Sequence, residues 1–256
     1  MLQPHSFLWH YLWVGPGILL AVLAVLAWRR GYANRSPAFF IYLVFESIQA
    51  LTLYAMDLTP RVSANAYWHA GIASLVVESL IKLAVLWELF SHLVKRRLEL
   101  AGRGKVVICR IGAALVMLAA VVASQAHLGK FLILSYFQIL EQGIYLVEAG
   151  LLLFLFLFAG HFRLAWDRRD FGVALGLSIS ACVGLGVFAV YANGILFTRL
   201  YLLDFLDGFT YHLCVLVWFY YLLTPRWSMI PPARDRVVED KHADSARLPI
   251  RRLWPT

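Results

Sequence analysis

The sequence predicts an all-α, polytopic membrane protein with seven transmembrane helices. Three observations carry that prediction. The 256 residues are 61% hydrophobic and 15% charged, and the mean hydropathy is +0.72, far from the balance of a soluble domain. Seven apolar segments of about 20 residues or more, the length needed to cross the hydrocarbon core, nearly use up the chain. The basic residues also alternate between loops. Nineteen of the 23 Lys and Arg lie after segments one, three and five, at Arg110 where segment four begins, or beyond segment seven. Arg61, Lys130 and Arg199 lie in the other loops, and Lys82 lies within a span. Basic residues resist translocation and mark the cytoplasmic side. The N-terminus is therefore expected outside and the C-terminus inside.

The spans run, in order, over 7–28, 38–57, 67–94, 106–123, 131–162, 172–193 and 200–223. Lipid offers no partners to backbone polar groups, so apolar runs of this length form helices. The first span has no basic residue ahead of it, which predicts an uncleaved helix. Its Gly15-Pro16-Gly17 predicts a kink. The second carries Tyr42, Glu46 and Gln49; the third carries Gly71, Ser74, Glu78 and Lys82. The fourth, like the first, has few polar groups, and both are expected as outer staves. The fifth carries Gln138, Glu141, Gln142, Tyr145 and Glu148. The long third and fifth spans should tilt or project into the cytoplasm. The sixth repeats small residues at every fourth position, Gly172, Gly176, Ser180 and Gly184, a pattern that lets helices approach closely. The seventh carries Asp204, Asp207 and Tyr211, with His212 beside them. Residues 1–223 are thus one membrane domain. Residues 224–256 form a basic, proline-containing cytoplasmic tail, read from composition as disordered.

Four spans, the second, third, fifth and seventh, bear polar stripes at steps of three and four residues. Each stripe occupies one helix face. Such a stripe faces the bundle interior or water rather than lipid. Glu46, Glu78 and Glu141 fall near mid-span, where a charged residue costs at least about 2.5–3.5 kcal/mol to insert. Lys82, one turn from Glu78, is the natural counter-charge. The carboxylates outnumber the cations, so some are expected to be protonated or to accept hydrogen bonds from Gln49, Gln138, Gln142, Tyr42 or Tyr145. The bland alternative is interhelical glue.

Other chemistries find less in the sequence. No cofactor is expected. His69 and His92 stand 23 residues apart on one span, roughly 35 Å along a helix, at opposite membrane faces rather than at two buried haem levels. His212 with Asp204 and Asp207 could converge on a metal, but no H-x-x-x-H or H-E-x-x-H spacing is present. The seventh span has no lysine, so a retinal protein is excluded. Cys109, Cys182 and Cys214 form no C-x-x-C pair and no disulfide framework. The net charge of +8 belongs to short loops at the lipid surface and is not a nucleic-acid footprint.

The strings Leu86-Trp87-Glu88-Leu89-Phe90-Ser91-His92, Leu151 to Phe158, Leu202 to Phe205 and Tyr211 to Leu216 resemble a family of uncharacterised bacterial seven-helix inner-membrane proteins. The resemblance spans nearly the whole chain. It implies the fold and a bacterial inner-membrane location, and brings no activity and no site. The residues themselves support three functional readings. The leading one is a small sensor or accessory protein whose buried polar core binds a ligand or proton. The second is a proton- or cation-coupled carrier using Glu46, Glu78 and Glu141. The third is an intramembrane metal-dependent hydrolase using Asp204, Asp207 and His212. The partners expected of the protein are the lipid bilayer and, for the output of a sensor, a cytoplasmic protein docked on loop 95–105 or the tail.

Overall fold

The computed structural model describes residues 6–94, 98–124, 132–162, 164, 166–192 and 200–224. The chain divides into Met1–Leu223 and Thr224–Thr256, and the helices belong to the first unit. Its described residues form eight helices: α1 (Phe7–Arg29), α2 (Tyr32–Arg35), α3 (Pro37–Leu58), α4 (Ala64–Val94), α5 (Leu98–Ser124), α6 (Leu132–His161), α7 (Arg168–Ala192) and α8 (Leu200–Leu223). Six of them are long and apolar enough to cross a membrane: α1, α3 and α4, Ile139–His161 of α6, Arg168–Val187 of α7 and Phe205–Leu223 of α8. The fourth expected span corresponds to α5, whose apolar stretch is the shorter Val106–Val121. The sequence did not anticipate α2, a single turn. It is made possible by Gly31, whose φ of 68° is the left-handed conformation that glycine adopts without a Cβ clash. Pro37 then opens α3 at a position where its missing N–H costs nothing.

The helices close into a ring. α1 packs on α3, α3 on α4, α4 on α6, α6 on α7, α7 on α8, and α8 back on α1, while α5 lies outside, mainly against α6. The helix of the fourth expected span, α5, is therefore an outer stave, as its lack of polar groups suggested. The first is not. α1 buries Leu20, Leu23, Ala24 and Ala27 between α3 and α8. An apolar helix without a polar stripe can still be a full ring member when it presents small residues to a neighbour. Here a Cβ at Gly17 would stand only 3.0 Å from that of Ala50. α1 also continues as one helix through Pro16.

The bundle has an apolar core, but its surface is apolar as well and a few charged groups are buried within it. Large apolar side chains lie exposed, among them Leu80 on α4, Met117 on α5 and Phe209 on α8. The buried set includes Glu46, Lys82 and Glu148 at 7%, 6% and 3% exposure. Water would penalise both halves of that arrangement, whereas a lipid solvent favours it. The fold is that of a multi-pass membrane protein.

Candidate functional site

The centre of the ring gathers charged side chains from α3, α4 and α6 and a tyrosine hydroxyl from α8. The Lys82 ammonium of α4 stands 3.0 Å from Glu78 Oε1, one turn earlier on the same helix, and 3.3 Å from Glu148 Oε2 of α6. The other Glu78 oxygen accepts a hydrogen bond from Gln49 Nε2 of α3 at 3.2 Å. Glu46, also on α3, accepts from the Tyr211 hydroxyl of α8 at 2.9 Å. Glu46 stands one turn before Gln49 on the same face of α3, and Gln49 bonds Glu78, so the Glu46 and Glu78 carboxyls are neighbours across the α3–α4 contact. Tyr42, one turn from Glu46 on α3, is buried with its ring edge against Trp218 of α8. Lys82 also sits over the Tyr145 ring of α6, 5.7 Å from its centroid. Each group projects inward because its helix carries polar residues on one face only. α3, α4, α6 and α8 are the four that sequence patterning nominated to line the interior.

This centre is unbalanced. Glu46, Glu78 and Glu148 bring three carboxyl groups to one ammonium. Two carboxylates about 4 Å apart repel by roughly 4 kcal/mol at an effective dielectric of about 20. A single Lys–Glu attraction has the same size, so Lys82 can offset one excess negative charge but not two. The donors also run short. Glu46 Oε1, Glu148 Oε1 and Gln49 Oε1 are buried without a hydrogen-bond partner. Orphaned acceptors in a low-dielectric interior are costly, so something that brings protons or positive charge would complete the site.

A second acidic pair continues the column towards the Phe7 end of the bundle. Glu141 of α6 feels the charge of Asp207 of α8 and is hydrogen-bonded to Tyr145, one turn further along its own helix. His212 lies against the Tyr11 ring of α1, centroids 5.6 Å apart. Gln142 is half-buried on α6. The side chains of Gln138 and Asp204 lie outside the described residues. Among the described residues no group of three or more His, Cys, Asp or Glu is placed to hold a metal ion.

At the Arg29 end a separate polar layer ties the helix ends together. Glu88 of α4 accepts from the backbone N–H groups of Ala38 and Phe39 at 2.9 and 3.3 Å. It caps the first turn of α3 from another helix. His92, one turn on, reaches Asp170 of α7 at 3.3 Å, and Arg35 pairs with Asp167 at 2.7 Å. Arg30 donates to the Leu222 and Leu223 carbonyls at the end of α8. Burial pushes the Tyr32 phenol up to about 12, so it stays a neutral hydroxyl. The cleft among Tyr32, Ser36, Glu88, His92 and Asp170 is too narrow for a water-sized sphere. This layer therefore holds the bundle end and offers no ligand pocket. Sequence reasoning missed it, although the i,i+4 spacing of Glu88 and His92 was a visible signal.

The small-residue face of α7 meets aromatic rings. Cβ atoms at Gly172 and Gly176 would collide with Tyr221 and Trp218 of α8, and one at Gly184 would stand 2.8 Å from Tyr145 of α6. Gly184 thus seats the ring that lies beneath Lys82. Comparison with protein-family models, curated proteins and solved structures returns no match to this chain.

Proposed function

We propose that this chain is a bacterial inner-membrane protein of seven spans, N-terminus outside and C-terminus cytoplasmic. It acts as a small sensor or accessory protein whose buried carboxylate core responds to a proton or cation. One observation carries the reading: a single ammonium, Lys82, is shared by Glu78 and Glu148, while Glu46 and Glu148 each keep a buried oxygen without a donor. Interhelical glue would pair its groups in balance. A core short of positive charge and donors has a use for a ligand that supplies either. The basic loops support the orientation. An output would pass to a protein docked on loop 95–105 or the tail.

The test is the thermal unfolding of the purified protein in lipid nanodiscs. It is measured between mildly acidic and mildly alkaline pH, and with sodium, potassium or magnesium chloride at constant ionic strength. The midpoint should move with pH or with one cation, and the shift should shrink in Glu148→Gln. A midpoint indifferent to pH and to every cation rejects the reading.

A carrier is the second reading, with Glu46, Glu78 and Glu141 as coupling groups. It draws support from the way carboxyl groups string along the bundle from Asp207 and Glu141 to Glu148. Ion flux into proteoliposomes, abolished by Glu141→Gln, would favour it over the sensor. The hydrolase reading gains no such support, since the His212 ring lies against Tyr11.

A further inference from the structure

We propose that the ligand of the core is a proton held between Glu46 of α3 and Glu78 of α4, and that this proton ties the two helices at mid-bundle. The inference rests on the sensor function proposed for the core and names the ligand of that same site. The three central carboxyls differ in what surrounds them. Glu78 is fully provided for, with Lys82 on one oxygen and the Gln49 amide on the other. Such a carboxylate is satisfied while ionised. Glu148 has the Lys82 ammonium. Glu46 has one neutral donor, the Tyr211 hydroxyl, and its Oε1 has none. Yet Glu46 is only 7% exposed, so water does not make up the difference.

What neighbours Glu46 across the α3–α4 contact is another carboxyl, Glu78, held by Gln49 one turn along α3 from Glu46. Two ionised carboxylates repel and have no hydrogen to share. Neighbouring and buried, they need one proton between them. A proton on Glu46 Oε1 converts the orphaned acceptor into a donor and turns the repulsion into a hydrogen bond from α3 to α4. The other titratable and charged groups at this level are Tyr42 on the same helix, Lys82 on α4, Glu148 on α6 and Tyr211 on α8. α1 meets α3 here through Gly17. Lys82 is committed to Glu78 and Glu148 and leaves Glu46 without an ammonium partner.

A metal cation fits less well. The place where it would neutralise Glu78 and Glu148 is already filled by the Lys82 ammonium, a tethered cation. Hard monovalent and divalent ions also need about six oxygens or more, and no metal-holding group is formed among the described residues. Loss of the proton would leave Glu46 and Glu78 repelling each other across the α3–α4 contact. Each helix would then move relative to a partner it holds by other bonds, α3 by Tyr211 on α8 and α4 by Glu148 on α6. That gives the core two states set by one proton.

Infrared difference spectroscopy of the protein in nanodiscs, titrated in H₂O and D₂O, reads the proton directly. Wild type should show a protonated-carboxyl band at neutral pH that shifts on deuteration. The band should vanish in Glu46→Gln, move in frequency in Tyr211→Phe and stay in Glu141→Gln. Glu46→Gln keeps a hydrogen-bond donor towards Glu78 and should fold. Its thermal midpoint should lose most of the wild-type pH response. No band in wild type, or a band that survives Glu46→Gln, overturns the inference, as does loss of the band in Glu141→Gln. If the band is absent while sodium, potassium or magnesium still shifts unfolding, this inference falls and the broader reading of the core stands. If the midpoint is also indifferent to pH and cations, both fall.

Discussion

Lys82 of α4 reaches Glu148 of α6 at 3.3 Å while it holds Glu78, one turn back on its own helix, at 3.0 Å. One buried ammonium therefore joins two helices that are 66 residues apart at these positions. Removing it strands two carboxylates in a low-dielectric interior. Lys82→Met should cost about 3–5 kcal/mol, the usual loss when one partner of a buried pair is deleted. The triple variant Glu78→Gln/Lys82→Met/Glu148→Gln should recover much of that loss, because its neutral groups need no counter-charge. Unfolding in detergent measures both. Additive losses across the three sites would mean that the groups do not act together.

Part of this site was legible in the sequence. The Glu78–Lys82 step of four residues places the two side chains together on any helix, and the stripes on α3, α4, α6 and α8 are readable as inward faces. Which stripe member meets Lys82 was not readable. Glu141, Glu148, Asp204 and Asp207 all qualify by periodicity. The choice of Glu148 depends on the axial register of α6 against α4, which no spacing encodes. The same limit hid the Glu88 cap on α3, a contact across 49 and 50 residues. It also hid the place of α1 in the ring, since an apolar helix reads alike whether it faces lipid or neighbours.

The Glu88 cap predicts a local loss. Two N–H groups in the first turn of α3 lack intrahelical partners and find one carboxylate oxygen instead. Glu88→Ala should destabilise the protein by about 1–2 kcal/mol, the range for a lost helix cap. Hydrogen exchange should rise at Ala38 and Phe39 and leave the middle of α3 protected. Uniform exchange along α3 in the variant would mean that the cap does not order this end.

The topology proposal makes a graded set of expectations from nineteen inner against three outer basic residues. Reporter fusions after residues 33, 100, 167 and 240 should report cytoplasm. Those after 62, 127 and 196 should report the outside. The fusions at 100 and 127 bear hardest on the count of seven, because they flank α5, whose apolar stretch is short. If both report the same side, α5 does not cross and the chain has six spans.

The packing of α7 supplies the last test, and its control lies on the same helix. Gly176 and Gly184 face Trp218 and Tyr145, and a Cβ at either would enter the ring. Gly186, one turn from Val183 on the same helix, has open space around its Cβ direction, with nothing within 4 Å. Forcing extra atoms into a packed contact costs about 1–3 kcal/mol. Gly176→Ala and Gly184→Ala should each lose stability of that order, and Gly186→Ala should gain up to about 1 kcal/mol from helix propensity alone. The two losses should differ in kind. Gly176 supports the α7–α8 contact only. Gly184 seats Tyr145, whose ring lies under Lys82 and whose hydroxyl bonds Glu141. Gly184→Ala should therefore also change the pH or cation response of unfolding, whereas Gly176→Ala should leave it as in wild type. Equal responses in the two variants would separate the aromatic packing of α7 from the charged core.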